Sequence, residues 1–523
     1  MSQICVVCGV SAALKCGGCK MVVYCGKEHQ KSDWKSGHKN RCKCFEIATN
    51  NQIGRHCIAA RDIKQNEIIL REQPLVLGPK LASPAICLGC NQNLELKRNA
   101  TNFYKCSKCK WPLCGQSCEK SKLHTAECSR LQTTSFKCPI DYVAADRNKK
   151  ESAYCTIVPL RCLLLKKENP SGFKALMNLE DHLDERMKTP VYNVLRANLV
   201  PFIRNVLGLT EFDEKTIMKT AAIFDTNSFE IRPFKQQSKI RAVYPQSSMF
   251  SHDCVPNTRH VFTENNEILM IATVDIPKGS VINVTYTQAL KNTMDRREHL
   301  QQAKCFDCRC MRCSDPTELQ TYFGAVNCSQ CKIGKVTSTD TLDVSSVWRC
   351  DHCGHEISAK QIKCGNAALQ NEIAKLSRND PREFEQFLIK YAETLHPLNS
   401  HVMQIKYALT QLYGNVPGFT LGEMTDAAIQ RKIDLCEELL KIAAVLEPGA
   451  GRFRGLLLLD LQECLTVQAQ RRFNENSLTK EGVEERLMES MNYLQEAVSI
   501  LKIEPGMEKM LEERVKTLAI ELE

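Results

Sequence analysis

Thirty cysteines stand in this chain of 523 residues, most of them in short Cys-x2-Cys pairs. In a small exported domain such pairs would read as disulfides. Here the first residues, Met1–Cys8, carry no basic stretch ahead of a long apolar core, so no export signal is expected. The pairs therefore read as zinc ligands in a reducing compartment. Once the ligands below are assigned, eight cysteines are left as free thiols: Cys44, Cys57, Cys138, Cys155, Cys162, Cys364, Cys436 and Cys464.

The first array offers eight ligands in four pairs: Cys5/Cys8, Cys16/Cys19, Cys25/His29 and His38/Cys42. Eight ligands make two closed structural sites, with interleaved pairing expected: Cys5/Cys8 with Cys25/His29, and Cys16/Cys19 with His38/Cys42. The segment 27–38 has no proline and little glycine, so a short helix can present His29 and the later ligands. A second array repeats this grammar with a longer first loop, in Cys87, Cys90, Cys106, Cys109, Cys114, Cys118, His124 and Cys128. A third unit, Cys328, Cys331, Cys350 and Cys353, has the spacing of a zinc ribbon, and His352 and His355 are unneeded beside four cysteines. Cys254 stands far from any other cysteine, and some fifty residues later come Cys305, Cys308, Cys310 and Cys313. These two pieces read as parts of one clasp.

The formal charge of +10 is divided unevenly. Residues 1–364 hold 52 Lys+Arg against 35 Asp+Glu, and residues 365–523 hold 18 against 25. Zinc-bound thiolates would bring the total near neutral, which argues against direct nucleic-acid binding despite the basic first finger. No apolar run approaches the roughly 18 residues of a membrane span; Gly455–Leu459 reads as helix core.

Between the arrays the pattern changes from strand to helix and back. Ile53–Leu70 reads as two β-rich runs around a polar turn at 64–66, closed by Pro74. Residues 137–222 are mainly helical, with apolar spacing near three to four. An extended segment is expected over Asp225–Ile231, then strands over Arg259–Phe262, Ile268–Ala272 and Ser280–Tyr286. From about residue 365 amphipathic spacing predicts helical hairpins punctuated by proline and glycine.

The motif order carries a resemblance. Tyr24-Cys25 and Trp34-x3-His38-x3-Cys42 look like a MYND finger, a zinc-binding interaction module. A Gly-Arg-x-x-x-Ala strand, a second finger and a helical insert follow. Asn227-Ser-Phe229, Ser251-His252-Asp253-Cys254-Val-Pro256-Asn257, Asn283-Val-Thr-Tyr286 and Cys305-Phe306-Asp-Cys308-Arg-Cys310-Met-Arg-Cys313 complete the series. The whole resembles the SET-and-MYND (SMYD) family of protein-lysine methyltransferases, and most of all its arthropod branch with an extra N-terminal finger.

The resemblance implies methyl transfer from S-adenosylmethionine (SAM) to a lysine amine. It implies Tyr286 as the catalytic tyrosine, Phe229 as a channel wall, and Gly54, Arg55, His56, Ser248, Ser251, His252 and Phe306 at the cofactor. The clasp would join Cys254 to Cys308, Cys310 and Cys313, leaving Cys305 out as a ninth free thiol, for about six zinc sites in all. His56 stands where the family has glycine, and Ser251 and Asp253 stand where it has asparagine and serine. These departures carry the alternative of a SET/MYND adaptor with weak or no transfer activity, acting as a transcriptional co-repressor.

The expected architecture is α+β and multi-domain, a SET β-fold split by zinc-finger and helical insertions and followed by a TPR-like helical C-terminal domain. Its divisions are a MYND-type finger (1–43), the first part of SET (44–84), a second finger (85–130), a helical insertion (131–222), the SET core (223–300), a post-SET zinc motif (301–318), a zinc ribbon (319–364) and the helical domain (365–523). A monomer in cytoplasm or nucleus is expected, acting on a protein lysine, with proline-rich or other peptide partners at the fingers and no membrane association.

Overall fold

The computed structural model describes residues 4–17, 22–39, 42–94, 104–138, 140, 152–231 and 239–522. Cys19, assigned above as a zinc ligand, lies outside them.

The first finger holds β1 (Leu14–Lys15), β2 (Val23–Tyr24) and α1 (Lys27–Asp33), with a π-helical turn at Trp34–His38. Its small core is Cys5, Cys16, Tyr24 and Cys42. Ile4, Val6, Val7 and Val10 remain exposed. Four strands follow, β3 (Phe45–Asn50), β4 (Gly54–Ala59), β5 (Ile68–Glu72) and β6 (Val76–Pro79). The expected turn is present between β4 and β5, where Asn66 takes a left-handed conformation.

The second array forms β7 (Tyr104–Lys105), β8 (Pro112–Leu113), α2 (Gln116–Glu119) and α3 (Lys122–Leu131). The Ser121 side chain caps α3 by accepting from the Leu123 N–H. One face of α3 buries His124, Glu127, Cys128 and Leu131, the spacing that brings two ligands and a carboxylate to one side. Cys106, Cys109, Trp111, Leu113 and Leu131 belong to the same core as strands β4 to β6, unlike the residues of the first finger.

The helical insert runs through α4 (Ile157–Glu168), α5 (Pro170–Met177), α6 (Leu183–Arg186), α7 (Pro190–Pro201) and α8 (Glu214–Asn227). From α4, Arg161 reaches back to Glu127, donating Nη2 to Oε1 at 2.7 Å, and also donates to the Leu77 and Leu88 carbonyls. Tyr154 donates its hydroxyl to the Ile86 carbonyl and accepts from the Ile86 N–H.

The expected extended stretch at 225–231 is shorter in the structure. Helix α8 continues through Asn227, and only β9 (Ser228–Ile231) is extended. The last carbonyls of α8 find side-chain donors: Asn227 Nδ2 donates to Ile223 O, and Lys304 Nζ donates to Thr226 O. One local partner and one long-range partner thus satisfy the end of the helix.

Next come β10 (Ile240–Val243), β11 (Ser251–His252), β12 (Thr258–Phe262), β13 (Ile268–Ala272) and β14 (Val281–Val284). Three small sheets result, with orders β3-β4-β14-β11, β5-β13-β12 and β6-β10-β9. All pairs are antiparallel except β11 with β14, which sets Ser251 opposite Asn283 and His252 opposite Val284. That parallel pair places the 251–254 segment beside Tyr286.

Helix α9 (Thr293–Lys304) ends at Cys305, whose φ of 59° turns the chain back into α10 (Met311–Ser314). The ribbon is β15 (Val326–Asn327), β16 (Lys335–Ser338), β17 (Trp348–Cys350) and β18 (Glu356–Ile357) in sequential antiparallel order. Seven helices complete the chain: α11 (Ala359–Ile373), α12 (Pro381–Tyr391), α13 (Ser400–Leu412), α14 (Asp426–Leu446), α15 (Arg452–Asn474), α16 (Lys480–Leu501) and α17 (Glu508–Leu522). The architecture is α+β and multi-domain. Among the described residues no helix is long and apolar enough to cross a membrane.

Polar contacts and the packing of Ile503 on Val261, Leu269 and Ile271 tie the helical domain to the sheets. Arg259 on β12 pairs with Glu504 at 2.9 Å and donates to the Ile500 carbonyl. The Ala450 N–H donates to the Thr273 carbonyl at 2.7 Å. Beside it Gly449 has φ +75°, and a Cβ there would lie 1.9 Å from the Thr273 oxygen.

Gly449→Ala is accordingly expected to destabilise the protein by more than about 1 kcal/mol, through both strain and a forced separation of the two parts. Gly418 shares the positive φ (+80°) but has open space around it. Thermal unfolding of both alanine variants checks this: the Gly418 variant should show the smaller loss.

Candidate active site and zinc clasp

Zinc held tetrahedrally at about 2.3 Å sets thiolate sulfurs roughly 3.8 Å apart, against about 2.0 Å in a disulfide. The cysteine arrays match the first spacing. Five groups of four bring their ligand atoms within 4.8 Å of one another: Cys5/Cys8/Cys25/His29, Cys87/Cys90/Cys114/Cys118, Cys106/Cys109/His124/Cys128, Cys254/Cys308/Cys310/Cys313 and Cys328/Cys331/Cys350/Cys353. Representative S···S separations are 3.4 Å for Cys90–Cys114, 3.6 Å for Cys328–Cys353 and 3.5 Å for Cys254–Cys313. Cys16, His38 and Cys42 gather likewise, with Cys16 Sγ 3.6 Å from Cys42 Sγ and 3.3 Å from His38 Nε2. In the second finger the His124 ring nitrogen Nδ1 lies 3.3 Å from the Glu127 carboxylate, and Arg161 binds the same carboxylate. A carboxylate behind a ligating histidine fixes its tautomer and ring plane.

The group around Cys254 has a further support. Arg296, fully buried on α9, donates Nε to Cys254 Sγ at 3.2 Å and Nη2 to Cys313 Sγ at 3.5 Å. Its Nη1 pairs with Glu318 at 2.7 Å, and Arg312 pairs with the same Glu318 oxygen at 3.0 Å. Burial alone would raise the Glu318 pKa, but the two guanidiniums outweigh it and hold the carboxyl ionised. Nothing in the spacing of Arg296, Arg312 and Glu318 announces this cluster, and sequence reasoning missed it.

His252 joins the clasp to the cavity. Its Nδ1 accepts the Tyr286 N–H at 2.9 Å, so the hydrogen sits on Nε2, 3.3 Å from Cys254 Sγ. Burial lowers its pKa to about 4, in keeping with a neutral ring. The Tyr286 hydroxyl donates to the Phe250 carbonyl at 2.7 Å, and burial pushes its pKa well above the usual phenol value. The His252, Tyr286 and Phe306 rings lie within 5.2–6.5 Å of one another. Burial also raises Asp253 to about 6, while its carboxylate accepts the Val255 N–H.

These rings border a cavity of about 2600 Å³, larger than the roughly 300–1,000 Å³ of a small-molecule site. Of the residues assigned above to cofactor and catalysis, Gly54, Arg55, Phe229, Ser248, Ser251, His252, Tyr286 and Phe306 line it. His56 does not: its side chain is buried, with Nδ1 2.9 Å from the Gly54 carbonyl oxygen. Gly54 has φ +68°, and a Cβ added there would meet no atom within 4 Å, so the strand presents open backbone. Arg55 donates to the Asn178 carbonyl at 2.7 Å, which brings Glu180 and His182 of the insert to the same wall. Phe229 packs edge-on against Tyr244 and His260. On the far side the wall is completed by Tyr407, Phe453, Glu447 and Glu504 of the helical domain.

Metal analysis is expected to return about six zinc ions per chain, and one fewer for Cys254→Ser. Arg296→Met should weaken the same site by roughly 10- to 100-fold, measured by competition with a chelator.

Comparison with known proteins gives a MYND-finger family model over residues 5–42 and a SET-domain model over residues 54–287. Among similar chains, SET domain-containing protein SmydA-8, isoform A, of Drosophila melanogaster is 26% identical over 428 residues, 80% of this chain and 88% of that protein. Histone-lysine N-methyltransferase ASHR1 of Arabidopsis thaliana is 28% identical over 284 residues, 52% and 55%. Histone-lysine N-methyltransferase SMYD3 of Homo sapiens is 24% identical over 272 residues, 49% and 58%.

Proposed function

The chain belongs to the SET-and-MYND family, and from that premise we propose that it is a SAM-dependent protein-lysine N-methyltransferase. The observation that carries the proposal is the convergence of Tyr286, His252 and Phe306 on one cavity backed by a four-thiolate clasp. The residues present fit the cofactor. Open backbone at Gly54, the Ser248 and Ser251 hydroxyls and the exposed face of Phe306 offer polar and stacking contacts along one wall. Bound there, SAM would supply an electrophilic methyl group on its sulfonium.

The chain's own groups have three tasks. Tyr286 stays a neutral phenol because it is buried, so it orients neighbouring groups through its oxygen rather than competing as a nucleophile. Phe229 and Tyr407, Phe453 and Leu456 of the helical domain give the cavity apolar lining, and an apolar surround favours a neutral amine on the incoming lysine. The clasp fixes Phe306 relative to Tyr286, since Phe306 lies two residues from the ligand Cys308. We assign peptide recruitment to the first finger, whose Ile4, Val6, Val7 and Val10 are exposed. The second finger's apolar residues are taken up by the SET core.

Calorimetry on zinc-loaded protein tests the reading: SAM is expected to bind, and no detectable binding at millimolar SAM would reject it. Phe306→Ala should weaken binding by roughly tenfold. Tyr286→Phe should bind SAM normally and turn over a lysine-containing protein about 10²-fold slower or worse. Unchanged function of Tyr286→Phe in cells would favour the adaptor alternative.

A further inference from the structure

Lys304 is the last residue of α9, and its side chain runs into the cavity. The ammonium donates to the Thr226 carbonyl at 2.6 Å and reaches the Asp225 carbonyl at 3.5 Å. It also stands 5.7 Å from the centroid of the Tyr286 ring. Phe229 lies three residues beyond Thr226 and Phe306 two residues beyond Lys304, and both line the same cavity. A lysine amine belonging to the protein therefore sits among the groups that an acceptor lysine would use: an aromatic face and backbone carbonyls.

We propose that Lys304 is a specificity-determining residue of the acceptor site: its ammonium holds the place beside Tyr286, so an acceptor lysine must meet it discharged or displace it. The inference rests on the methyltransferase reading.

Nearby charges do not neutralise Lys304. The Asp225 carboxylate is already shared by Arg241, at 2.9 Å from β10, and Arg186, at 3.7 Å from α6. Tyr286 faces the ammonium as a neutral phenol, and Cys305 adjoins it in sequence. Burial first, and then Arg241 and Arg186 against the single Asp225, bring the Lys304 pKa down to about 8. The charge is thus present below pH 8 and is lost above it. At pH 7 about one molecule in ten carries a neutral Lys304, which lowers apparent acceptor affinity about tenfold.

The test compares the wild type with Lys304→Gln, which keeps a donor for the Thr226 carbonyl, Lys304→Met and Lys304→Arg. Acceptors are Nα-acetyl-lysine amide and a lysine-containing peptide pool, with radiolabelled SAM. Lys304→Gln and Lys304→Met should raise kcat/KM about tenfold at pH 7, through KM, and the gain should fall to less than about twofold at pH 9.5. Lys304→Arg should show no gain at either pH. A purely structural cap predicts the reverse, loss in the neutral variants and rescue by arginine, and that result overturns the proposal. A gain independent of pH, or no turnover by any of the proteins while SAM still binds, also overturns it. SAM affinity, measured in parallel, is expected to be equal in all four, and if the wild type binds no SAM the failure lies in the methyltransferase reading itself. Should Lys304→Met not fold, Lys304→Gln and the wild-type pH profile carry the same decision.

Discussion

Four cysteines drawn from two distant stretches of chain are the constraint on which the cavity around Tyr286 depends. Cys254 follows β11, and Cys308, Cys310 and Cys313 follow α9, more than fifty residues later. Metal-free, the four sulfurs would repel one another as thiolates, or sit buried as thiols with little to bind them together. Arg296 answers part of that charge directly, and Glu318 and Arg312 answer Arg296 in turn. Removing one member of such a buried set leaves an uncompensated charge, which commonly costs about 3–5 kcal/mol. The electrostatics of the clasp and the placement of Phe306 beside Tyr286 are therefore one problem with one solution.

The two N-terminal arrays share a spacing grammar but not a role in the fold. The first has a core of its own and leaves apolar residues on its surface. The second is continuous with the SET core through Trp111 and Leu131, and the buried Arg161–Glu127–His124 chain ties its metal ligands to helix α4. Loss of metal from the first finger would leave the cavity intact, whereas loss from the second would reach the strands.

How much could be read in advance follows from how local each interaction is. Zinc demands ligands at short, fixed intervals, so the ligand arrays of both fingers and the ribbon could be read from spacing, and in the first finger so could the set Cys5/Cys8/Cys25/His29, whereas the pairing within the second finger was left open. Strands β12 to β14 were legible because their apolar residues run between clear turns. The length of α8 was not, because Asn227 and Lys304 cap it and Lys304 lies far away in sequence. For the same reason nothing near Lys304, Arg296 or Arg161 in sequence signals what each does, since their partners are reached only through the assembled fold. His56 shows the converse case: its position in the motif pointed to the cofactor wall, and the pleat of β4 turns it inward.

The cavity draws its walls from Gln52, Ile53 and Gly54, just after the first finger, and from Glu504, Pro505 and Met507, some 450 residues later. A chain emerging from the ribosome N-terminus first can close its fingers and sheets long before that last wall exists. Until the turn between α16 and α17 has been synthesised, the part of the lining supplied by Glu504, Pro505 and Met507 is missing. The order of synthesis thus makes this cavity one of the last features of the assembled fold to be completed.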